Sequence, residues 1–346
     1  MIGSTTNGCS SSTIGVFIFI VVVFGSSYAI VAKGLQFYEP GQLLLMRFLM
    51  ALSFSLVILG YRVMRNQNSF RESIKMFVKD EKKKLGHLFV AGMLTLSVSV
   101  LLITYGQKSL STVSVLAMSP LSITSGSIFS HFLLQDERFN MKKLYSLLSA
   151  LIGVGLSSVP MLRHTNNIST TSTQSTSLGY IYTVIGLIIS GFGPVYLRWG
   201  APKTDISFSV ITQLISAVIF MSVFCITVYG FSSLEYCFNL PLSIWIWPII
   251  LGVFVSGFCI HGYMYLLGKI GTFGTNLLPF GQIVVGGIIG VIFLNEWSKY
   301  KSSEIVFSLT GIVFMMISLS FGLISAKLVE KPQEEPEEKT ESFNEL

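Results

Sequence analysis

Residues 110–137 read LSTVSVLAMSPLSITSGSIFSHFLLQDE: small residues lead to Pro120, an apolar run carrying Ser and Gly follows, and Glu137 closes it. A cognate stretch, GTFGTNLLPFGQIVVGGIIGVIFLNE, occupies residues 271–296, with Pro279 lying 159 positions after Pro120. Pro120 precedes Glu137 by 17 residues, and Pro279 precedes Glu296 by the same 17. Self-similarity at a fixed offset marks a repeated structural unit. Each stretch is followed by one more apolar segment, so the chain reads as one unit written twice.

Composition sets the environment of that unit. Charged residues make up 12% of the 346 and hydrophobic residues 51%, about half and somewhat above the shares usual in soluble domains. The 31 Gly and 27 Phe suit helices packed closely in lipid, where small residues let backbones approach. A net charge of +6 could suggest nucleic acid, but the basic residues sit in one short loop and beside span ends, which reads as membrane topology. The four cysteines, Cys9, Cys225, Cys237 and Cys259, form no CxxC and have no His at metal-ligand spacing.

Taken in order, residues 1–13 form a polar tail without the basic n-region of a secretory signal. Apolar runs of about 20 residues, the length of a spanning helix, follow at 14–32, 41–61, 85–104, 110–134 and 144–162. Residues 163–177 are a polar Ser/Thr-rich linker. Five more runs follow at 178–199, 208–230, 244–267, 271–294 and 304–326, and then an acidic, Pro-bearing tail at 327–346 whose composition supports no core. The expected fold class is an all-α membrane protein with ten transmembrane helices in two five-helix repeats, 14–162 and 178–326.

Lys and Arg decide orientation. The tails and even-to-odd loops hold 17 of them and the opposite loops hold 5, so both termini are expected in the cytoplasm. An odd number of spans per unit then inverts the second half relative to the first, the plan of many secondary transporters. The sequon at Asn167 falls on the outer side, where glycosylation is permitted.

Three stretches carry a family resemblance: FGSSYAIVAKGL at 24–35 with GQLLLMRFLMA at 41–51, YGQKSLSTVSVLAMSPLSITSGSIFSHFLLQDE at 105–137, and the second-half counterpart ending LNE at Glu296. Their order and number resemble the EamA-type branch of the drug/metabolite transporter superfamily, which is related to nucleotide-sugar and triose-phosphate carriers. The resemblance runs from about residue 14 to 326 and implies alternating-access transport without naming a solute. The chain departs from the usual pattern in having Phe24 where a tryptophan often stands. Opposite Arg47, the second half offers Thr212 or Gln213 in place of an arginine.

Arg47 is the one Lys, Arg, Asp or Glu well inside a span. Because an intramembrane charge costs about 2.5–3.5 kcal/mol on insertion scales, it points to function. It reads either as a cavity residue that attracts an anion or closes an outer gate with Glu296, or as a snorkelling side chain. Ser27, Tyr28, Ser97, Ser119, Gln213, Asn276 and Gln282 are the other expected substrate contacts, since buried amides and hydroxyls need partners. Glu137 and Glu296 are expected to cap or gate, and Pro120 and Pro279 to kink their helices midway. His261 is the one candidate for protonation deep in a span. No carboxylate lies deep in a span, which favours exchange or facilitated movement over carboxylate-coupled proton symport.

HExxH, a Cys/His cluster and a phosphate-cradling Gly-rich loop are all missing from the sequence, so no enzyme, metal or cofactor is expected. The expected function is secondary transport of a small polar or anionic metabolite. A drug or amino-acid exporter is the alternative within the class, and a membrane receptor or scaffold the alternative outside it. Expected partners are a small-molecule substrate and the lipid bilayer, with a homodimer as a further option and no nucleic acid; plasma membrane and endomembrane stay equally open.

Overall fold

A computed structural model describes residues 11–65, 82–110, 112–134, 173–202, 204–275 and 277–293, with scattered positions at 141–156 and 306–317. The described residues contain helices and no strand. The helices are α1 (Ser11–Gly34), α2 (Pro40–Arg65), α3 (Lys82–Gly92, continuing through Met93–Val98 into Ser99–Ser109) and α4 (Thr112–Met118, then Pro120–Leu133). They continue with α5 (Thr173–Gly200), α6 (Ile206–Tyr229), α7 (Ser232–Asn239), α8 (Leu242–Ile250, Leu251–Phe258 and Cys259–Thr275) and α9 (Leu278–Phe293). Among the described residues, six helices are long and apolar enough to cross a membrane: Ser12–Gly34, Pro40–Tyr61, Lys84–Ser109, Ser177–Gly200, Ile206–Tyr229 and Leu242–Thr272. The chain is therefore an integral, multi-pass membrane protein, helical in its described spans. The runs expected at 144–162 and 304–326 fall largely outside the described residues.

Among the described residues, two helices carry a π-helical stretch, Met93–Val98 in α3 and Leu251–Phe258 in α8. A π turn inserts a residue into the helical repeat, which rotates the side chains beyond it and is frequent at functional sites. Gly92 and Gly252 stand at these stretches. A Cβ on Gly92 would lie 2.6 Å from Gln213 Cα in α6, and one on Gly252 would lie 2.6 Å from the Arg47 carbonyl oxygen in α2. The missing side chains thus let α3 seat against α6 and α8 against α2, backbone to backbone. Elsewhere α1 packs on α9 and on the last segment of α8, while α5 packs on the second part of α4 and the last segment of α3.

The structure places an interruption beside each proline. Pro120 opens the second segment of α4, one residue after the first segment ends at Met118, and Pro279 is the second residue of α9. In a first turn the missing N–H has no intrahelical acceptor to lose, so each proline suits the start of the segment that follows the interruption. Tightened i to i−3 bonds flank both sites: Ser119 N to Leu116 O and Ser122 N to Ser119 O at one, Leu277 N to Gly274 O and Phe280 N to Leu277 O at the other. The ninth apolar run accordingly begins its helix at Leu278 and not at Gly271. Gly271 sits inside a kink of α8 with φ 71°, a left-handed value that only glycine adopts cheaply.

Gly92→Val should destabilise the fold by about 1–3 kcal/mol, because backbone atoms of Gln213 cannot swing aside for the new side chain. Gly60→Ala, where the added carbon would meet nothing within 4 Å, should leave stability unchanged or raise it slightly. Thermal denaturation of the purified protein in detergent separates the two.

Candidate functional site

The helices enclose a cavity of about 230 Å³. Its walls come from every long helix: Tyr28 from α1, Arg47 from α2, Thr104 from α3, Ser190 from α5, Gln213 from α6 and Tyr263 from α8. Ser119 at the break in α4, and Pro279 and Gln282 at the start of α9, also line it. The two helix breaks therefore sit at the cavity wall.

Arg47 is partly buried and makes one hydrogen bond to the protein among the described residues: its Nε donates to Ser256 Oγ at 2.6 Å. Ser256 is fully buried within the π stretch of α8. The close seating of α2 on Gly252, one turn earlier, holds α8 at the distance this bond needs. The guanidinium carbon lies 5.7 Å from the centre of the neighbouring Phe48 ring. No carboxylate among the described residues pairs with Arg47. The expected gate partner, Glu296, lies outside the described residues, as do Glu137, Asn276 and Asn167.

Ser27, Tyr28, Arg47, Ser119, Gln213 and Gln282 meet at the cavity. The hydroxyls of Ser27 and Ser119 donate to backbone oxygens of Phe24 and Leu116, each at 2.7 Å. Gln213 donates through Nε2 to Ser209 Oγ at 3.0 Å and faces Met264 Sδ at 3.9 Å, which leaves Oε1 buried without a partner among the described residues. A thioether has no hydrogen to donate, so it is the amide nitrogen that turns towards Met264. Ser97, by contrast, is buried in the π stretch of α3, does not line the cavity, and leaves its Oγ unpaired among the described residues. His261 is also outside the lining; its Nδ1 bonds the Gly257 carbonyl at 2.8 Å and its Nε2 is buried.

Thr95, Thr104, Gln107, Ser190 and Thr275 line the cavity without having been singled out in the sequence. A usable signal existed for Ser190, which opens the Ser-Gly-Phe-Gly-Pro interruption of an otherwise apolar run.

One residue beyond Gln107, Lys108 Nζ donates to Glu39 Oε2 at 2.6 Å, joining the end of α3 to the turn between α1 and α2. Tyr105 and Tyr229 hydroxyls bond one another, and Gln42 Nε2 donates to Ser233 Oγ at 2.8 Å. Burial pushes the nearby Tyr38 hydroxyl up to about 12, so it stays neutral at physiological pH. These contacts tie the helices together at one end of the bundle. Among the described residues no group of His, Cys, Asp and Glu could hold a metal.

Ser256→Ala should destabilise the protein by about 1–3 kcal/mol, because it leaves the partly buried Arg47 Nε–H without its partner, whereas Ser256→Thr keeps the hydroxyl and most of the stability; thermal denaturation of the two variants in detergent checks this.

The overall fold is similar to that of a protein solved by crystallography, with a TM-score of 0.59 over 92% of this chain and 99% of that one at 14% identity, a likeness of fold alone. Among curated proteins, none matches the sequence. Residues 12–159 match the model of the EamA-like transporter family. With that match and, among the described residues, six helices fit to cross a membrane, the chain is a multi-pass membrane protein whose residues 12–159 are similar to the EamA-like transporter family.

Proposed function

We propose that the protein is a ten-helix carrier of two inverted five-helix repeats, moving a small polar or anionic metabolite by alternating access as an exchanger or facilitator. One observation carries the reading: a cavity between the two halves of the chain in which Arg47 is the sole ionised side chain among the described lining residues. An unpaired guanidinium in a low-dielectric cavity attracts an anion strongly.

Paired positions support the repeat. Arg47 and Gln213 are 166 residues apart, and so are the lining pairs Phe24 and Ser190, Tyr28 and Pro194, and Val31 and Leu197. The π stretches begin 158 residues apart, at Met93 and Leu251. Corresponding helices of the two halves thus contribute to one cavity, as expected for a site at a repeat interface. In this reading both termini are cytoplasmic, and the Glu39–Lys108 pair closes the outer end. Its side chains are 45% and 48% exposed, and a pair so exposed is worth only about 0–1 kcal/mol. Such a latch is weak enough to open in each cycle.

Counterflow in proteoliposomes with a panel of organic anions tests the function. Arg47→Ala should lower uptake by roughly tenfold or more, the scale of a lost charged hydrogen bond, and trans-stimulation is expected for an exchanger. Absence of flux for every solute would instead favour a receptor or scaffold. Glu39→Cys with Lys108→Cys, bridged by a cleavable thiol cross-linker long enough to span the two removed side chains, should arrest uptake, and cleavage should restore it; unchanged flux in the cross-linked protein would sink the latch.

A further inference from the structure

The charges that meet in the cavity narrow the solute further, a step that rests on the carrier reading above. Arg47 Nε is already engaged by Ser256 Oγ at 2.6 Å, so the fork of two Nη groups is what remains for a ligand. The Tyr28 ring lines the same cavity, and its hydroxyl lies within electrostatic reach of the guanidinium without a hydrogen-bond partner among the described residues. No Asp, Glu, Lys, His or second Arg is among the described lining residues. Much of the remaining wall is apolar: Phe24, Val31, Leu96, Val100, Ile103 and Ile260.

We propose that the solute is a monovalent organic anion with an apolar body, a monocarboxylate in class, its carboxylate held by Arg47 and Tyr28. Neutrality is the selecting principle. One carboxylate compensates one guanidinium and fits its fork with two parallel hydrogen bonds. A phosphate monoester carries about −1.5 to −2 at neutral pH, so it would bury an excess negative charge with no second cation among the described lining residues to meet it. An organic cation would add to the charge of Arg47, and a neutral solute would leave the guanidinium unpaired. The volume of about 230 Å³ sits below the usual range for drug-sized ligands, about 300–1,000 Å³, and sets the body at a few carbons or one ring.

The test is binding to the purified full-length protein in lipid nanodiscs, measured by calorimetry and thermal shift. The probes share two bodies, benzyl and isobutyl, each with three head groups: phenylacetate, phenylacetamide and benzyl phosphate; isovalerate, isovaleramide and isobutyl phosphate. On at least one body the carboxylate should bind about tenfold or more tightly than both the amide and the phosphate. Arg47→Gln should erase the advantage of carboxylate over amide. The wild-type head-group order stands as a measurement even where that variant folds poorly. A phosphate ester or amide binding as tightly as its carboxylate on both bodies, or no binding by any of the six, overturns the proposal. Flux of some other solute in the same preparation would then leave the carrier reading standing, whereas no flux at all would remove both.

Discussion

The bond from Arg47 Nε to Ser256 Oγ is the contact on which the interior arrangement turns. A guanidinium within a membrane-spanning helix is tolerable only where it finds polar partners away from lipid. Ser256 supplies one, and it can do so because a π stretch turns it towards α2 while Gly252 removes the side chain that would hold α8 off. Sequence, helix irregularity and close backbone approach act together at that point. The rest of the guanidinium is left facing a cavity.

The same economy appears in the other half of the chain. Gly92 brings α3 against the backbone of Gln213, and a π stretch follows immediately. Here the polar residue is a neutral amide, so one wall of the cavity is charged and the other is a hydrogen-bonding surface. In a carrier this asymmetry would orient a solute with one anionic end. Pro120 and Pro279 place helix starts beside the cavity, where backbone groups are less fully committed to helical bonds than in a helix middle.

Legibility in the sequence depended on the kind of signal. Arg47 stood out because a charge in an apolar run is improbable without a purpose, and Gln213 and Gln282 because a buried amide demands partners. Ser97 carried the same type of signal and lies off the cavity, because the π stretch in α3 shifts the phase of its side chains and leaves Thr95 on the lining instead. Thr104 and Thr275 gave little warning, since hydroxyls in membrane helices commonly bond the carbonyl four residues back, as both do here. The prolines stand out by their spacing, and each lies in the first turn of the segment that follows an interruption.

By itself the sequence determined the environment and the helical class. Lipid exposure and span length are written directly in residue hydropathy, and the Pro-to-Glu spacing carries the proposal of a repeated unit. The tertiary structure alone decided which polar residues converge. That depends on helix phase and on how closely two backbones approach, and both are set by π stretches and by glycines at contact points that no single-helix pattern reveals. The stretch at residues 110–137 illustrates the division: its apolar run announced a membrane helix, while the break at Ser119–Pro120 and its place at the cavity wall came from packing.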